Sequence, residues 1–185
     1  MALPVFTRRG RERVRDVSRD AEFASLFSAR VRAVRRTAYL MCGDWHRAED
    51  LAQTAFAKLY ANWPRLRDPA AADAYLRLTL TTTYLDDSRR FWHRERATDE
   101  LPEHGTSYDE DDRLMLLDAL AQVPPRQRAC LVLRYYDDLS VEETATALRC
   151  SSGTVKSNTS RGIDALRRIL GDSMPDVTTM SGATR

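Results

Sequence analysis

Apolar residues recur at helical spacing along most of this chain, and this periodicity constrains its fold more than any other feature. Between residues 21 and 42 the apolar positions follow one another at intervals of about three or four: Phe23, Leu26, Phe27, Val31, Val34, Ala38 and Leu40. Such spacing places them on one face of an α-helix, and few segments show the alternation typical of a half-buried strand. Because the chain also has only 7 glycines in 185 residues, we predict an all-α fold.

The helical pattern is interrupted twice. Pro64 and Pro69 predict a loop over residues 64–73, since proline ends or kinks a helix. Residues 97–112, ATDELPEHGTSYDEDD, combine acidic groups with a proline and a glycine and offer almost nothing to bury, which is typical of a mobile linker. We therefore predict two small helical domains, at 20–96 and 113–171, joined by an acidic flexible linker at 97–112. A flexible basic arm at 1–19 and a tail at 172–185 complete the chain.

Three helices are predicted in the first domain, at 21–42, 48–63 and 74–96, with Asp44 as the N-cap before the second. The threonine run TTT at 81–83 lowers the helix propensity of the third.

Charge and cysteine content limit the classes of protein to which the chain can belong. The net charge is only +2, so a nucleic-acid surface would have to be a local patch. No apolar run approaches the 18 or more residues of a membrane span, and the N-terminal stretch lacks the apolar segment of a signal peptide. The three cysteines lie far apart without a CxxC pair, which favours a reducing compartment. We expect a cytoplasmic protein that does not insert into a membrane.

A helix-turn-helix is predicted in the second domain. Ser140 begins SVEETATALRC and has Glu143 three residues later, the pattern of a capping box. Ser151 then follows a short turn and is expected to cap a second helix. One face of that helix carries polar and basic side chains that suit the major groove of DNA: Lys156, Ser157, Asn158, Ser160 and Arg161. A solvated helix with a polar outer face is the alternative, but the capping box and the small-residue turn favour DNA binding.

Two segments resemble the extracytoplasmic-function sigma factors of bacterial RNA polymerase, in the style of an actinobacterial subgroup. VPPRQRACLVLRYYDDLSVEETATALRCSSGTVKSNTSRGIDALR at 123–167 is similar to the C-terminal domain of that family. AYLMCGDWHRAEDLAQTAFAKLYANWPRLRDP at 38–69, followed by AYLRLTLTTTYLDDSRR at 74–90, is similar to its N-terminal domain. The resemblance covers about residues 20–170 and has both motifs in the family's order.

The resemblance assigns promoter-reading roles to both domains. In the C-terminal domain it implies −35 recognition by Lys156, Ser157, Asn158, Ser160 and Arg161, with Arg126 and Arg128 bracing phosphates at a helix start. In the N-terminal domain it implies that the −10 element is opened and its unstacked bases are held by Arg65, Arg67, Arg77, Thr82, Arg89, Arg90 and Trp92. Thr82 stands where asparagine is frequent, and Asp86 and Asp87 place negative charge near that surface.

The resemblance also implies protein partners. The AEDLAQTAF helix would dock on the clamp helices of the polymerase β′ subunit through Asp50, Gln53 and Phe56, with Thr54 replacing the family's acidic residue. The β flap and an anti-sigma factor are further expected partners. No cofactor, metal or small-molecule substrate is implied, since catalysis would belong to the polymerase.

Two other classes of protein are open from the residues alone. An enzyme is disfavoured because His46, His93 and His104 are scattered and no HExxH, P-loop or nucleophile elbow is present. A stand-alone helix-turn-helix regulator would bind duplex DNA tightly by itself, usually as a dimer. The exposed polar positions expected at Asp50 and Gln53 distinguish a sigma factor from that regulator, whose sensor core would not need them.

Overall fold

The computed structural model describes residues 8–66, 68–92 and 108–171, with side chains from residue 19 onward except at 69, 91, 92 and 108–113. All of the long regular elements in these ranges are α-helices: α1 Arg8–Cys42, α2 Trp45–Asn62, α3 Pro69–Trp92, α4 Tyr108–Gln122, α5 Pro125–Leu131, α6 Val141–Leu148 and α7 Ser152–Leu170. The prediction of an all-α fold is confirmed. None of these helices, as far as they are described, combines the length and apolar character needed to cross a membrane.

The first unit is a bundle in which α2 packs between α1 and α3. Its core holds Leu51, Ala55 and Leu59 of α2 together with Met41 of α1 and Leu80 of α3. Burial of such a side chain stabilises the fold by about 1.5–3 kcal/mol. Leu51, Ala55 and Leu59 share one face of α2, and that face builds the bundle.

The turn between α1 and α2 follows from two residues. Gly43 has a φ of 77°, a left-handed conformation that glycine adopts without steric cost, and its N–H donates to the carbonyl of Tyr39 at 2.7 Å. The Asp44 side chain then accepts a hydrogen bond from the Arg47 N–H at 2.6 Å, so the predicted N-cap is confirmed. The helix it caps starts at Trp45, three residues earlier than expected.

Three predicted irregular segments are partly helical. Helix α1 begins at Arg8, inside the expected arm, because arginine and glutamate are good helix formers even without an apolar face. Helix α3 begins at Pro69, inside the expected loop at 64–73, because proline is tolerated in the first turn. Helix α4 begins at Tyr108, inside the expected linker, where acidic residues suit a helix N-terminus. Residues 1–7, 93–107 and 172–185 lie outside the described residues; they hold the remainder of the predicted arm, linker and tail and the last four residues, 93–96, of the predicted third helix.

The second unit is built around α7, which packs against α4, α5 and α6. Gly162 lets α7 approach α5 closely, since a Cβ at this position would lie 3.0 Å from the Cγ of Leu131. Helix α5 continues into a π-helical turn, Val132–Tyr136, and Asp138 then adopts a φ of 51° before α6 begins.

The two units pack against each other through α3 and the C-terminal part of α1 on one side and α4–α6 on the other. We call this contact the interdomain interface. Among the described residues, side-chain hydrogen bonds cross it from Thr37 to Asp137, from Thr81 to the carbonyl of Ala147 and from Arg128 to the carbonyl of Met41. A single hydrophobic cluster of buried side chains therefore runs through both units.

Candidate nucleic-acid interface

Helix α6 is held at both ends by local hydrogen bonds. The Ser140 side chain accepts from the Glu143 N–H at 3.1 Å, and the Glu143 carboxylate accepts from the Ser140 N–H at 2.8 Å, so the predicted capping box is confirmed. At the other end Arg149 is left-handed with a φ of 49°, and the Cys150 N–H reaches back to the carbonyl of Ala145 at 3.0 Å. This Schellman geometry ends α6 and sets the direction of the turn.

Helix α7 starts one residue after Ser151, whose hydroxyl accepts from the Thr154 N–H at 3.1 Å, as predicted for this cap. Val155, Gly162 and Leu166 are buried against the rest of the second unit, and Thr159 is half-buried on the same face. The opposite face is open to solvent and includes four of the five predicted readers, Lys156, Ser157, Ser160 and Arg161.

The exposed face of α7 has the charge and geometry to contact duplex DNA. Among the described residues, Lys156 and Arg161 have no ion-pair partner, so their charges are available to phosphates or guanine edges. Ser157 and Asn158 instead donate to the carbonyl of Thr154, at 3.1 and 2.9 Å. Asn158 is half-buried, and this bond occupies one of its two amide N–H donors, which leaves the other N–H and the amide oxygen for a base.

The two arginines of the predicted phosphate brace have different environments. Arg126 is exposed at the start of α5. Arg128 is only 8% exposed, and its guanidinium donates to the carbonyls of Met41 at 2.9 Å, Val123 at 3.0 Å and Ala121. Burial lowers the pKa of this guanidinium from its ordinary value. In this arrangement Arg128 cannot meet a phosphate, so the prediction for it is corrected: it binds the C-terminal carbonyls of α1 and α4.

The residues expected to act on the −10 element fall into three groups. Arg65, Arg89 and Arg90 are exposed, and Arg89 forms an ion pair with Asp86. Arg77 and Thr82 are half-buried on α3, and the Thr82 hydroxyl donates back to the carbonyl of Leu78 at 2.8 Å. Arg67 and the side chain of Trp92 lie outside the described residues.

The positive charge of Arg77 acts on two carboxylates of the second unit. Burial raises the pKa of Asp137, while the hydrogen bond from Thr37 and the positive charge of Arg77 act in the opposite direction. Hydrogen bonds from Ser140 lower the pKa of Glu143, and the charge of Arg77 contributes in the same direction. The guanidinium expected to meet promoter DNA therefore acts electrostatically on carboxylates of the second unit, although Arg77 forms no ion pair among the described residues.

The face of α2 expected to bind core polymerase is polar and exposed at Asp50 and Gln53, and Gln53 is within 3.5 Å of the Glu49 carboxylate. Phe56, predicted to share this surface, is only 4% exposed, and its ring packs edge-on against Phe27 with centroids 4.7 Å apart. The prediction for Phe56 is corrected, because its period along α2 places it in the bundle core.

Sequence reasoning missed an aromatic pair beside this face. The rings of Tyr39 and Trp45 stack with centroids 4.1 Å apart and an interplanar angle of 11°, and Trp45 is 51% exposed. A salt bridge between Arg35 and Glu49, 2.5 Å long, flanks the pair. A tryptophan within the polar stretch GDWHRAED was the sequence feature that could have indicated it. Across the described ranges, no group of three or more His, Cys, Asp or Glu side chains is arranged to hold a metal ion.

Comparisons with known proteins match both units. The family model described as Sigma-70 region 2 matches residues 26–94, and the one described as Sigma-70, region 4 matches residues 113–166. An RNA polymerase sigma-E factor of Streptomyces coelicolor is 38% identical over 152 residues, which cover 80% of this chain and 86% of the relative. The ECF RNA polymerase sigma factor SigL of Mycobacterium tuberculosis is 31% identical over 154 residues, covering 79% and 87%.

The fold is also found in a solved structure. The sigma factor RpoE from Bartonella quintana, crystallised in complex with the anti-sigma factor NepR, superposes with a TM-score of 0.68 at 23% identity. The match covers 83% of this chain and 99% of that chain. Together with the two family regions in their order and the polar faces of α2 and α7, these relatives decide the classification. The chain belongs to the RNA polymerase sigma factors of the extracytoplasmic-function type, which are transcription initiation factors.

Proposed function

We propose that this sigma factor joins core RNA polymerase through α2 and reads the −35 element with α7 and the −10 element with α3 and the loop before it. The observation that carries the proposal is the exposed basic face of α7, where Lys156 and Arg161 project from a helix fixed by the Ser151 cap. A single good side-chain-to-base pair contributes about 1–3 kcal/mol of discrimination. Two elements read by one chain gain further through effective concentration.

Docking on the polymerase is assigned to the exposed face of α2, with Asp50 and Gln53 as its contacts. The stacked Tyr39 and Trp45 extend this face, and exposed aromatic rings beside polar groups are common at the centres of protein interfaces. The polymerase supplies the catalytic chemistry, and the sigma factor acts in the cytoplasm, where the promoter DNA lies. An anti-sigma factor, like the NepR that accompanies the Bartonella relative, is a further proposed partner.

The test is transcription of a fragmented genomic library by core polymerase with the purified protein. Start sites that require the protein would support the proposal, and the double variant Asp50→Ala with Gln53→Ala should lose them. The matched control is Asp118→Ala with Gln122→Ala, an exposed aspartate and glutamine on α4, which should transcribe normally. Tight DNA binding by the protein alone, with no transcripts that depend on core polymerase, would show a stand-alone regulator instead.

The role of α7 has a separate test. Lys156→Ala and Arg161→Ala should weaken binding at the −35 element in a salt-dependent way. Arg167→Ala, an exposed arginine in the last turn of the same helix, is the control and should leave it nearly unchanged. Equal losses in all three variants would mean a diffuse electrostatic effect with no recognition face.

A further inference from the structure

We propose that Asn62 and Tyr75 are positioning residues for promoter melting: the hydrogen bond between their side chains fixes the start of the loop between α2 and α3, which presents Arg65 to the −10 element. We call residues 63–66 the melting loop. The proposal rests on the proposed function, because that function assigns the −10 element to this loop and to α3.

The melting loop continues directly from α2. The Trp63 N–H donates to the carbonyl of Tyr60, residues Trp63–Arg65 form one 3₁₀ turn, and the Leu66 N–H donates to the carbonyl of Trp63 at 3.1 Å. The Trp63 ring also packs edge-on against Phe23 of α1, with centroids 5.6 Å apart. The backbone of the loop is therefore defined, and its position depends on where the end of α2 lies relative to α3.

The start of α3 is anchored separately. The Ala70 N–H donates to the carboxylate of Asp68 at 3.0 Å, which caps the first turn. The Arg30 guanidinium on α1 donates to both carboxylate oxygens of Asp73, at 2.9 and 2.6 Å. A bidentate pair of this kind fixes orientation as well as adding energy, so α3 begins at a defined place on the bundle.

The Asn62 side chain joins these two anchored parts. Its amide donates to the carbonyl of Lys58 at 2.9 Å, in the last turn of α2, and to the hydroxyl of Tyr75 on α3 at 2.8 Å. An asparagine amide has two N–H donors, so both are used here. Asn62 and Tyr75 are half-buried, which limits competition from water. Lys58 and Thr83 also join the two helices, at 3.4 Å, but about two turns further along α3.

The consequence for melting concerns Arg65, which is exposed three residues after Asn62. A cation that meets a strand as its bases unstack contributes most when it is already in place, because no ordering cost then falls on the reaction. Without the bond between Asn62 and Tyr75, the melting loop would be free to shift relative to α3. We therefore expect slower promoter opening, while the −35 face on α7 is unaffected.

The test begins with Tyr75→Phe, which keeps the ring and removes only the hydroxyl. With core polymerase, the rate constant of promoter opening, followed by permanganate reactivity of unpaired thymines, should fall about fivefold to tenfold, the net effect of one hydrogen bond. The equilibrium constant for the closed complex should be unchanged. A partly unfolded variant would instead form fewer complexes that open at the wild-type rate. The matched control is Tyr60→Phe, whose hydroxyl donates to Asp20 at 3.0 Å, and it should open the promoter normally.

Asn62→Ala removes the same bond from its other side. This variant also loses the contact with Lys58, so it should open the promoter at least as slowly as Tyr75→Phe. Because both changes remove one shared bond, adding Tyr75→Phe to Asn62→Ala should change the opening rate by less than about twofold. A polymerase-free arm follows hydrogen exchange of the Leu66 amide, which should accelerate about fivefold to tenfold in Tyr75→Phe and not in Tyr60→Phe.

Promoter opening by Tyr75→Phe at the wild-type rate would overturn the proposal. Independent, multiplying effects of Asn62→Ala and Tyr75→Phe would overturn it as well, since the two side chains would then not act through their shared bond. The exchange experiment contains neither polymerase nor DNA, so an unchanged Leu66 amide in Tyr75→Phe would refute the positioning step alone. Absence of core-dependent opening by the wild-type protein would refute the proposed function instead.

Discussion

Replacing Arg128 shows directly whether its guanidinium caps backbone carbonyls or braces a DNA phosphate. Its guanidinium donates to three backbone carbonyls, those of Met41, Ala121 and Val123, which belong to the ends of α1 and α4 and the turn after α4. We expect Arg128→Met, which keeps the bulk of the stem, to destabilise the fold and leave the salt dependence of DNA binding unchanged. Loss of a phosphate-bracing arginine would instead leave the stability of the fold unchanged and reduce the salt dependence of DNA binding.

The magnitude follows from the contacts. Each carbonyl left without a donor in a dry site costs about 1–3 kcal/mol, so three of them set an upper bound of roughly 9 kcal/mol. Rehydration of the more exposed carbonyls reduces this figure. The variant also no longer has to bury a charge, a cost visible in the burial that lowers the pKa of Arg128. We expect a net loss of about 3 kcal/mol in the free energy of unfolding.

The assay is urea unfolding followed by far-ultraviolet circular dichroism, alongside DNA binding measured over a series of salt concentrations. Arg126→Met is the matched control, since Arg126 is two residues away and exposed. Arg126→Met should change the free energy of unfolding by less than about 0.5 kcal/mol. If Arg126 contacts a phosphate, the salt slope of DNA binding by this variant should fall by about one. An Arg128→Met protein of wild-type stability with a reduced salt slope would refute the capping role and restore the prediction made from sequence.

Three further predictions concern local features of the same fold. Ser140→Ala removes the capping box of α6 and should lower stability by about 1 kcal/mol in urea unfolding, whereas Ser140→Thr should not. Gly162→Ala should destabilise the second unit, because the clash with Leu131 at 3.0 Å outweighs a gain in helix propensity of about 1 kcal/mol; a more stable variant would contradict this. Burial raises the pKa of Asp137, so protonation of this carboxyl stabilises the packed state. That stabilisation is fully present below the ordinary aspartate pKa and is lost as pH rises through the raised pKa. Asp137→Asn should therefore gain stability relative to the wild type at pH 7, and this advantage should disappear on acidification.

The apolar periodicity of the chain was sufficient to predict the helical class. The residue types at the helix starts predicted the N-caps at Asp44, Ser140 and Ser151 and, with them, the helix-turn-helix. These features depend on residues within one or two turns of each other, which a sequence displays directly. Helix starts were predicted less well, because proline at Pro69 and a polar stretch near Arg8 are compatible with helix as well as with coil.

The role of Arg128 could not be predicted, because it depends on partners distant in sequence, whereas the burial of Phe56 follows from its period along α2 and was missed because the family motif was given more weight. Arg128 contacts a carbonyl 87 residues away, and no local pattern indicates such a partner. The prediction grouped Phe56 with the polar Asp50 and Gln53, but its ring packs against the ring of Phe27 on α1. The −10 assignments for Arg77 and Thr82, like those of the α7 residues, remain predictions that the promoter experiments test.

The position of the interdomain interface along the chain has a consequence for protein synthesis. Helix α6 packs against α3 in this interface and ends about 56 residues after α3 does. At a translation rate of about 5–20 residues per second, roughly 3–11 s separate the synthesis of the two helices. During that interval a nascent chain still on the ribosome has α3 finished and α6, its partner in the interdomain interface, not yet made. Each new molecule thus passes once through a state in which α3 lacks α6 as a partner, before the interdomain interface can form.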